Sequence, residues 1–562
     1  MIRHICKVCI AWLISFAIIG GANWWLISRG FQSTDASEAF AKALIVSASS
    51  EPLARMIATF PQIPVLAVTL ARWIPGASCA VLPYVLGALL ASFVPARLYD
   101  CLRTRGCTIF SAALIAALFL LNPLFLWTAW SGIQSAVTFL MYAYFTLALL
   151  RIAKEQDARG FMMLALALPI LFFSSPIAGL LIAALVLLLP AALPKSMVAS
   201  NPIAGYVVAF VPAALAIISW VYLCWIFHLN WRSVLLPRFE QSISGTTLRT
   251  IWELDSTRDL VLAPMVLTLL GAAAAPLLCA ALLYRKITAE ARRAIFVASL
   301  APILIAFFEI AEDSLKHPAP ILALLCACVL AVLLCFARVI VRRPMTTALL
   351  LACGVCGGWA ICILGPSPEL ISWQNVLAGQ NPEILNASDR SLANWLAGSE
   401  EPTLLDVNGA YPLVAALGTA SRLLVSGERE YAVELQGARL SIPQFAIPDP
   451  ASAAGYVNTI DRRYPDAYAS GMPGYTLAYD FGGWRVYRLL ALPKVPSPSS
   501  QTVLNDIGSI GVWIGAAAIL AVLAAATALL TLLGQIRPVR STLGLNTPMV
   551  EDASLRGSEA TE

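Results

Sequence analysis

Two carboxylates three residues apart, Asp35 and Glu38, stand in the stretch FQSTDASEAF that follows the first long apolar run. Their types and spacing suit two chemistries. As a capping box, Asp35 accepts from the amide three residues on and Glu38 reaches back to the cap amide. As a catalytic site, a positioned carboxylate takes a proton from a reacting hydroxyl. The residues alone leave both readings open.

Two further groups of ionisable residues stand between apolar runs. Glu309, Glu312, Asp313, Lys316 and His317 form one. A carboxylate near a membrane boundary is costly unless it is paired or faces water, so Lys316 is a candidate partner for Glu309. The sharper alternative is that Lys316 and His317 bind phosphate. The stretch 228–260 offers His228, Arg232, Arg238, Arg249 and Arg258 against Glu240, Glu253, Asp255 and Asp259. Basic residues there suit an anionic ligand, although contact with lipid headgroups explains them nearly as well. The CxxC spacings at Cys6 and Cys9 and at Cys353 and Cys356 lack a second pair or a histidine cluster, so they read as small apolar filler. No nucleotide-binding glycine loop, GxSxG or HExxH motif is present.

The elements that must position these groups are mostly apolar helices. The chain has 562 residues, of which 59% are hydrophobic and only 12% charged, outside the range of an ordinary soluble domain. A helix needs about 20 mostly apolar residues to cross the hydrocarbon layer, where unpaired backbone amides are too costly. Apolar runs near 8–28, 77–96, 107–121, 133–150, 161–173, 175–193, 203–227, 261–284, 294–310, 319–341, 346–365 and 510–534 give about twelve expected spans. The runs at 107–121 and 161–173 are short.

Basic residues set the orientation. Arg97, Arg103 and Arg105, then Arg151, Lys154 and Arg159, then Arg285, Lys286, Arg292 and Arg293, then Arg342 and Arg343 fall in alternate loops. With Arg3 and Lys7 before the first run and Arg537 and Arg540 after the last, all lie on one side if both termini are cytoplasmic. The loops account for the net charge of +5, which gives no reason to expect nucleic acid. The first run continues into Asn23-Trp24-Trp25 without a small-x-small cleavage site, and reads as a retained anchor with interfacial tryptophans.

Residues 29–76, 228–260 and 366–509 are then the long outer segments. After Asp35 and Glu38, an amphipathic helix through Ala39–Val46 is too short to span and is expected along the outer interface, followed by a second at Ile63–Trp73. Segment 366–509 has no cysteine and alternates short apolar and polar stretches. Strands are expected at Thr403–Asp406 and Gln444–Ile447, helices at Tyr411–Leu417 and Ala451–Arg463, and a hairpin pairing Tyr475–Tyr479 with Trp484–Arg488 across Asp480–Gly483. The expected architecture is a polytopic α-helical membrane region over 1–365, a small extracytoplasmic α/β domain over 366–509, a last span at 510–534 and a disordered cytoplasmic tail over 535–562.

The order of features resembles the polytopic GT-C glycosyltransferases. An anchor, an outer loop opening with an acid, an interfacial helix, the aromatic-Pro-x-x-Pro turn Phe60-Pro61-Gln62-Ile63-Pro64 and a span with a basic inner end occur in that order. Asn122-Pro123-Leu124-Phe125 with Trp130-Ser131-Gly132-Ile133-Gln134 is similar to the family's second outer turn, and His317-Pro318-Ala319-Pro320 to its late proline turn. The resemblance covers roughly residues 5–345, through loose motifs. Leu404–Tyr411, Arg462–Tyr468 and Gly483–Arg488 resemble an outer domain appended to some bacterial GT-C-like proteins.

This resemblance implies a transferase of the bacterial inner membrane, moving a sugar from a polyprenyl-phosphate carrier to a glycan, lipid or protein acceptor. Asp35 would be the base or help to hold a divalent cation, Glu38 would support it, and Lys316, His317, Arg232, Arg249 and Arg258 would meet the lipid-linked phosphate. One departure stands out. Many members carry adjacent acids in the first loop and another in the second outer turn, whereas here Ala36 follows Asp35 and Gln134 and Ser135 occupy the second place. A non-catalytic scaffold that binds a partner or glycan in envelope assembly is therefore the rival reading. A lipid or sugar transporter ranks third, because the charges sit at span edges and no internal repeat is evident.

Overall fold

The computed structural model of the chain describes residues 2–74, 79–155, 158–175, 177–194, 202–226, 257–309, 319–364, 368–380, 387–426, 428–436, 440–450, 452 and 458–490. The chain divides into two compact units, Met1–Ala516 and Ala517–Glu562, and every described residue belongs to the first. The expected last span and tail lie outside the described residues.

The described chain is mostly helical. Val8–Ser28, Leu82–Thr104, Ile133–Lys154, Gly205–Ile226 and Pro344–Ile363 are long and apolar enough to cross a membrane, and two bent pairs raise these five to as many as seven. Apolar helices of 10–17 residues occupy Gln62–Ala71, Arg159–Phe172, Ala178–Ala192 and Ile321–Cys335. Each apolar run expected between residues 8 and 365 thus falls on one helix or a broken pair.

The breaks have local causes. Met265–Ala274 and Pro276–Leu283 meet at 94°, where Pro276 lacks the amide that would continue the ladder. Ile109–Leu120 and Pro123–Trp130 meet at 66°. There Asn122 caps the second helix, its Oδ1 accepting from the Leu124 amide at 3.0 Å. This second break falls at the Asn122-Pro123 turn, and the helix that follows it leads to Ser131, Gly132 and Gln134.

The helix expected from the first outer segment spans Thr34–Ala48, but it does not lie open on an interface. Every residue from Glu38 to Val46 is buried. Its apolar positions share a core with Leu405, Leu413, Val414, Leu417 and Val425 of the outer segment. The following helix, Gln62–Ala71, does leave apolar side chains open, with Leu66, Leu70 and nearby Trp73 exposed.

That outer segment builds a five-stranded sheet. Its strands are β1 (Thr403–Leu405), β2 (Leu423–Val425), β3 (Gln444–Pro448), β4 (Tyr475–Phe481) and β5 (Trp484–Leu489), in the order β2-β1-β3-β5-β4. β1 runs parallel to β2 and β3, while β5 pairs antiparallel with β3 and β4. The hairpin and the Tyr411–Leu417 helix fall where the sequence places them. The expected Ala451–Arg463 helix is described only from Thr459 to Arg463, and β2 was not expected. Two helices, Pro368–Leu377 and Ala387–Ala397, link the last apolar helix to the sheet.

Candidate functional site

The site forms where the Thr34–Ala48 helix begins. Its cap residue is Ser33, one position before Thr34, and no side chain caps it locally. The Ser33 amide instead donates to the Tyr84 hydroxyl at 2.8 Å, and the Ser33 hydroxyl donates to the Ser131 carbonyl at 3.0 Å. The Thr34 amide donates to Glu369 Oε1. Distant partners therefore satisfy the helix's first donors, and the capping box expected of Asp35 and Glu38 does not form.

Freed from capping, Asp35 sits in the first turn, partly exposed, with its carboxylate held from outside the helix. Ser135 Oγ donates to Oδ2 at 2.7 Å and Gln134 Nε2 to Oδ1 at 3.4 Å. Gly132 makes this approach feasible: its φ is +106°, and a side chain there would meet Ala36 Cβ at 3.1 Å.

Glu38 takes a different part. It is 4% exposed and ion-pairs with Lys42 one turn on. The Lys42 ammonium also donates to the Phe60 carbonyl and lies 4.9 Å from the Tyr411 ring centroid. The two acids thus separate into one that stays partly open and one locked into the join between helix and outer segment.

A second carboxylate comes within range of the charge of Asp35, and no sequence motif marks its position. Glu369, in the first turn of Pro368–Leu377, keeps some exposed surface yet is crowded by protein atoms. Burial and, next, the charge of Asp35 push its carboxyl up to about 7, against the hydrogen bonds from Thr34. Arg390, from Ala387–Ala397, lies close enough to the Tyr84 phenol to interact with it. Burial lowers the pKa of this arginine. No local motif marks Glu369 or Arg390 in the sequence. They come to the site through the packing of the segment that follows the last apolar helix described.

Beside the acids lies a tryptophan cluster. Trp373 is fully buried, one turn beyond Glu369, and stacks on Trp359 at 5.2 Å with Trp130 at 5.4 Å on another side. The indole N–H groups of Trp130 and Trp373, the Ser372 hydroxyl and Arg390 Nε–H are buried and have no hydrogen-bond partner among the described residues.

Lys316, His317, Arg232 and Arg249 lie outside the described residues. Arg258 lies in the first turn of the Thr257–Ala274 helix. Among the described residues no three His, Cys, Asp or Glu side chains are grouped to hold a metal ion. Cys353 and Cys356 are free thiols exposed on Pro344–Leu364.

Fold and site together define a helical protein with apolar helices of membrane-crossing length, whose five-stranded sheet segment shares a core with the helix that carries Asp35. The chain matches no family model and no curated protein.

Proposed function

We propose that the chain is a GT-C-type glycosyltransferase of the bacterial inner membrane, with about twelve spans and cytoplasmic termini, that moves a sugar from a polyprenyl-phosphate carrier to an extracytoplasmic glycan, lipid or protein. The observation that supports this reading is the meeting of chain segments around residues 34, 134 and 369, which puts Glu369 within range of the charge of a partly open Asp35. Two acids within range of each other's charge fit proton chemistry.

In the proposed reaction the acceptor hydroxyl gives its proton to Asp35 as its oxygen bonds the anomeric carbon. The bond from that carbon to the carrier phosphate breaks, and the phosphate leaves with the electron pair. Ser135 and Gln134 aim the base, while Glu38 and Lys42 fix the helix that bears it. Arg390 and the basic residues Lys316, His317, Arg232, Arg249 and Arg258 supply positive charge for the departing phosphate.

The test is to delete the gene in its host, profile envelope glycans and lipid-linked sugars by mass spectrometry, and complement with wild type or Asp35→Asn. Loss of one modification that wild type restores and Asp35→Asn does not, at equal protein level, is the expected outcome. Removing a general base lowers turnover by about 10² to 10⁴-fold. The scaffold reading draws support from the two hydrogen bonds that already occupy both Asp35 oxygens. It gains the ground if both proteins restore the modification.

A further inference from the structure

A cavity of about 290 Å³ opens at the far end of the helix that carries Asp35, about 20 Å along its axis from that residue. One wall is the end of the helix, at Ser49 and Ser50, and the other is β2 with Arg422, Glu428 and Glu430. Drug-sized ligands fill about 300–1,000 Å³, so this space suits a small molecule. An added peptide strand does not suit it, although β2 is an edge of the sheet. The Leu423 amide already donates to the Ala420 carbonyl at 3.0 Å and the Val425 amide to Glu428 Oε2 at 3.3 Å, so an incoming strand finds no donor at either residue.

The cavity holds both signs of charge. Arg422 and Glu430 are exposed and Glu428 is half-buried, yet no ion pair among the described residues joins Arg422 to either acid. Arg422 gives one N–H to the Ser399 carbonyl at 2.9 Å, and a guanidinium carries several more. Burial pushes the Glu428 carboxyl up and the charge of Glu430 adds to this, against the Val425 amide and Arg55. The helix end contributes further negative character through its last carbonyls. An ammonium answers the acids and the helix end, and an anion answers Arg422. One small molecule does both only as a zwitterion.

We propose that this cavity binds a small zwitterion, an ammonium joined by a short chain to a phosphate or carboxylate. The ammonium lies at Glu428 and Glu430, and the anion at Arg422 with the hydroxyls of the lining serines Ser49, Ser50 and Ser421. The phosphate form could come from a soluble compound or from the headgroup of an ethanolamine phospholipid. None of these residues takes part in the proposed transfer, so the site stands or falls apart from it.

The test is calorimetric titration of the full chain in phosphatidylglycerol nanodiscs, whose headgroup has no ammonium. The probes are phosphoethanolamine and β-alanine, with ethanolamine and inorganic phosphate as the separate halves. The expected result is saturable binding of at least one zwitterion, tighter than either half. Glu430→Gln and Arg422→Gln should each weaken it by about two- to fivefold, the scale of an exposed ion pair. Glu428→Gln should weaken it by about tenfold or more, while Asp35→Asn should leave it unchanged. Repeating the titration with phosphatidylethanolamine in the disc separates the sources: lost binding identifies the lipid headgroup as occupant and retained binding a soluble ligand. A half that binds as tightly as the whole overturns the proposal in favour of a simple ion site, and no binding of either zwitterion in phosphatidylglycerol discs overturns it outright.

Discussion

Glu369 carries the clearest consequence of single-residue placement. Its carboxyl, ordinarily near 4.5, is pushed up to about 7 in the folded chain. The folded state thus holds this proton more tightly than the unfolded state. The associated stability is fully present below about 4.5 and is lost as pH rises through about 7. Glu369→Gln should flatten that fall and raise the melting temperature above pH 7, read by thermal unfolding in detergent across pH 4 to 8. Some slope should remain, because Asp461, in the Thr459–Arg463 helix, is pushed up to about 6 chiefly by burial and slopes the same way. Asp35 was legible as a candidate because it opens a helix after an anchor. Gln134 and Ser135 were legible only as places where an acid was missing; the turn at Asn122-Pro123 could be read from sequence, but not that it brings their side chains to Asp35 from about 100 positions away.

Among the elements, the Thr34–Ala48 helix has the most to lose. Lys42 is buried against Glu38, the Phe60 carbonyl and Tyr411. Lys42→Met would leave Glu38 buried without that ion pair, and breaking such a pair costs about 3–5 kcal/mol. The double variant Lys42→Met, Glu38→Leu should recover much of the loss in the same melting experiment. Failure of the double variant to recover would mean that Lys42 acts mainly through Phe60 and Tyr411. A second weak point is the contact of Leu82–Thr104 with the turn before Ile133. A Cβ at Gly87 would lie 2.6 Å from the Gly132 carbonyl carbon, where backbone cannot rotate aside. Gly87→Ala should therefore cost about 1–3 kcal/mol and lower transfer by shifting Gln134 and Ser135. Gly21→Ala, with nothing within 4 Å of the added carbon, is the control expected to change neither. Sequence periodicity placed these helices but misread the first outer one as an interface helix. Its amphipathic pattern faces protein on both sides, and an apolar stripe does not say what covers it.

For the molecule as a whole, apolar runs predicted helix positions closely, since hydrophobic length is written locally. The outer sheet was legible at its hairpin and at β1 and β3. The three-residue β2 was not, because so short a strand is defined by its parallel partner and not by a pattern of its own. The join between sheet and helices left no local signal either, and the site depends on that join. The hydrogen bond from Thr34 to Glu369 spans 335 positions. A ribosome adding residues one at a time makes Asp35 long before its acidic partner exists. During that interval the growing chain carries Asp35 without Glu369, Arg390 or the sheet whose core its helix shares. The bond from Thr34 to Glu369 can close only after the last described apolar helix has been made and the segment beyond it has been added, so the two ends of this contact are made far apart in time.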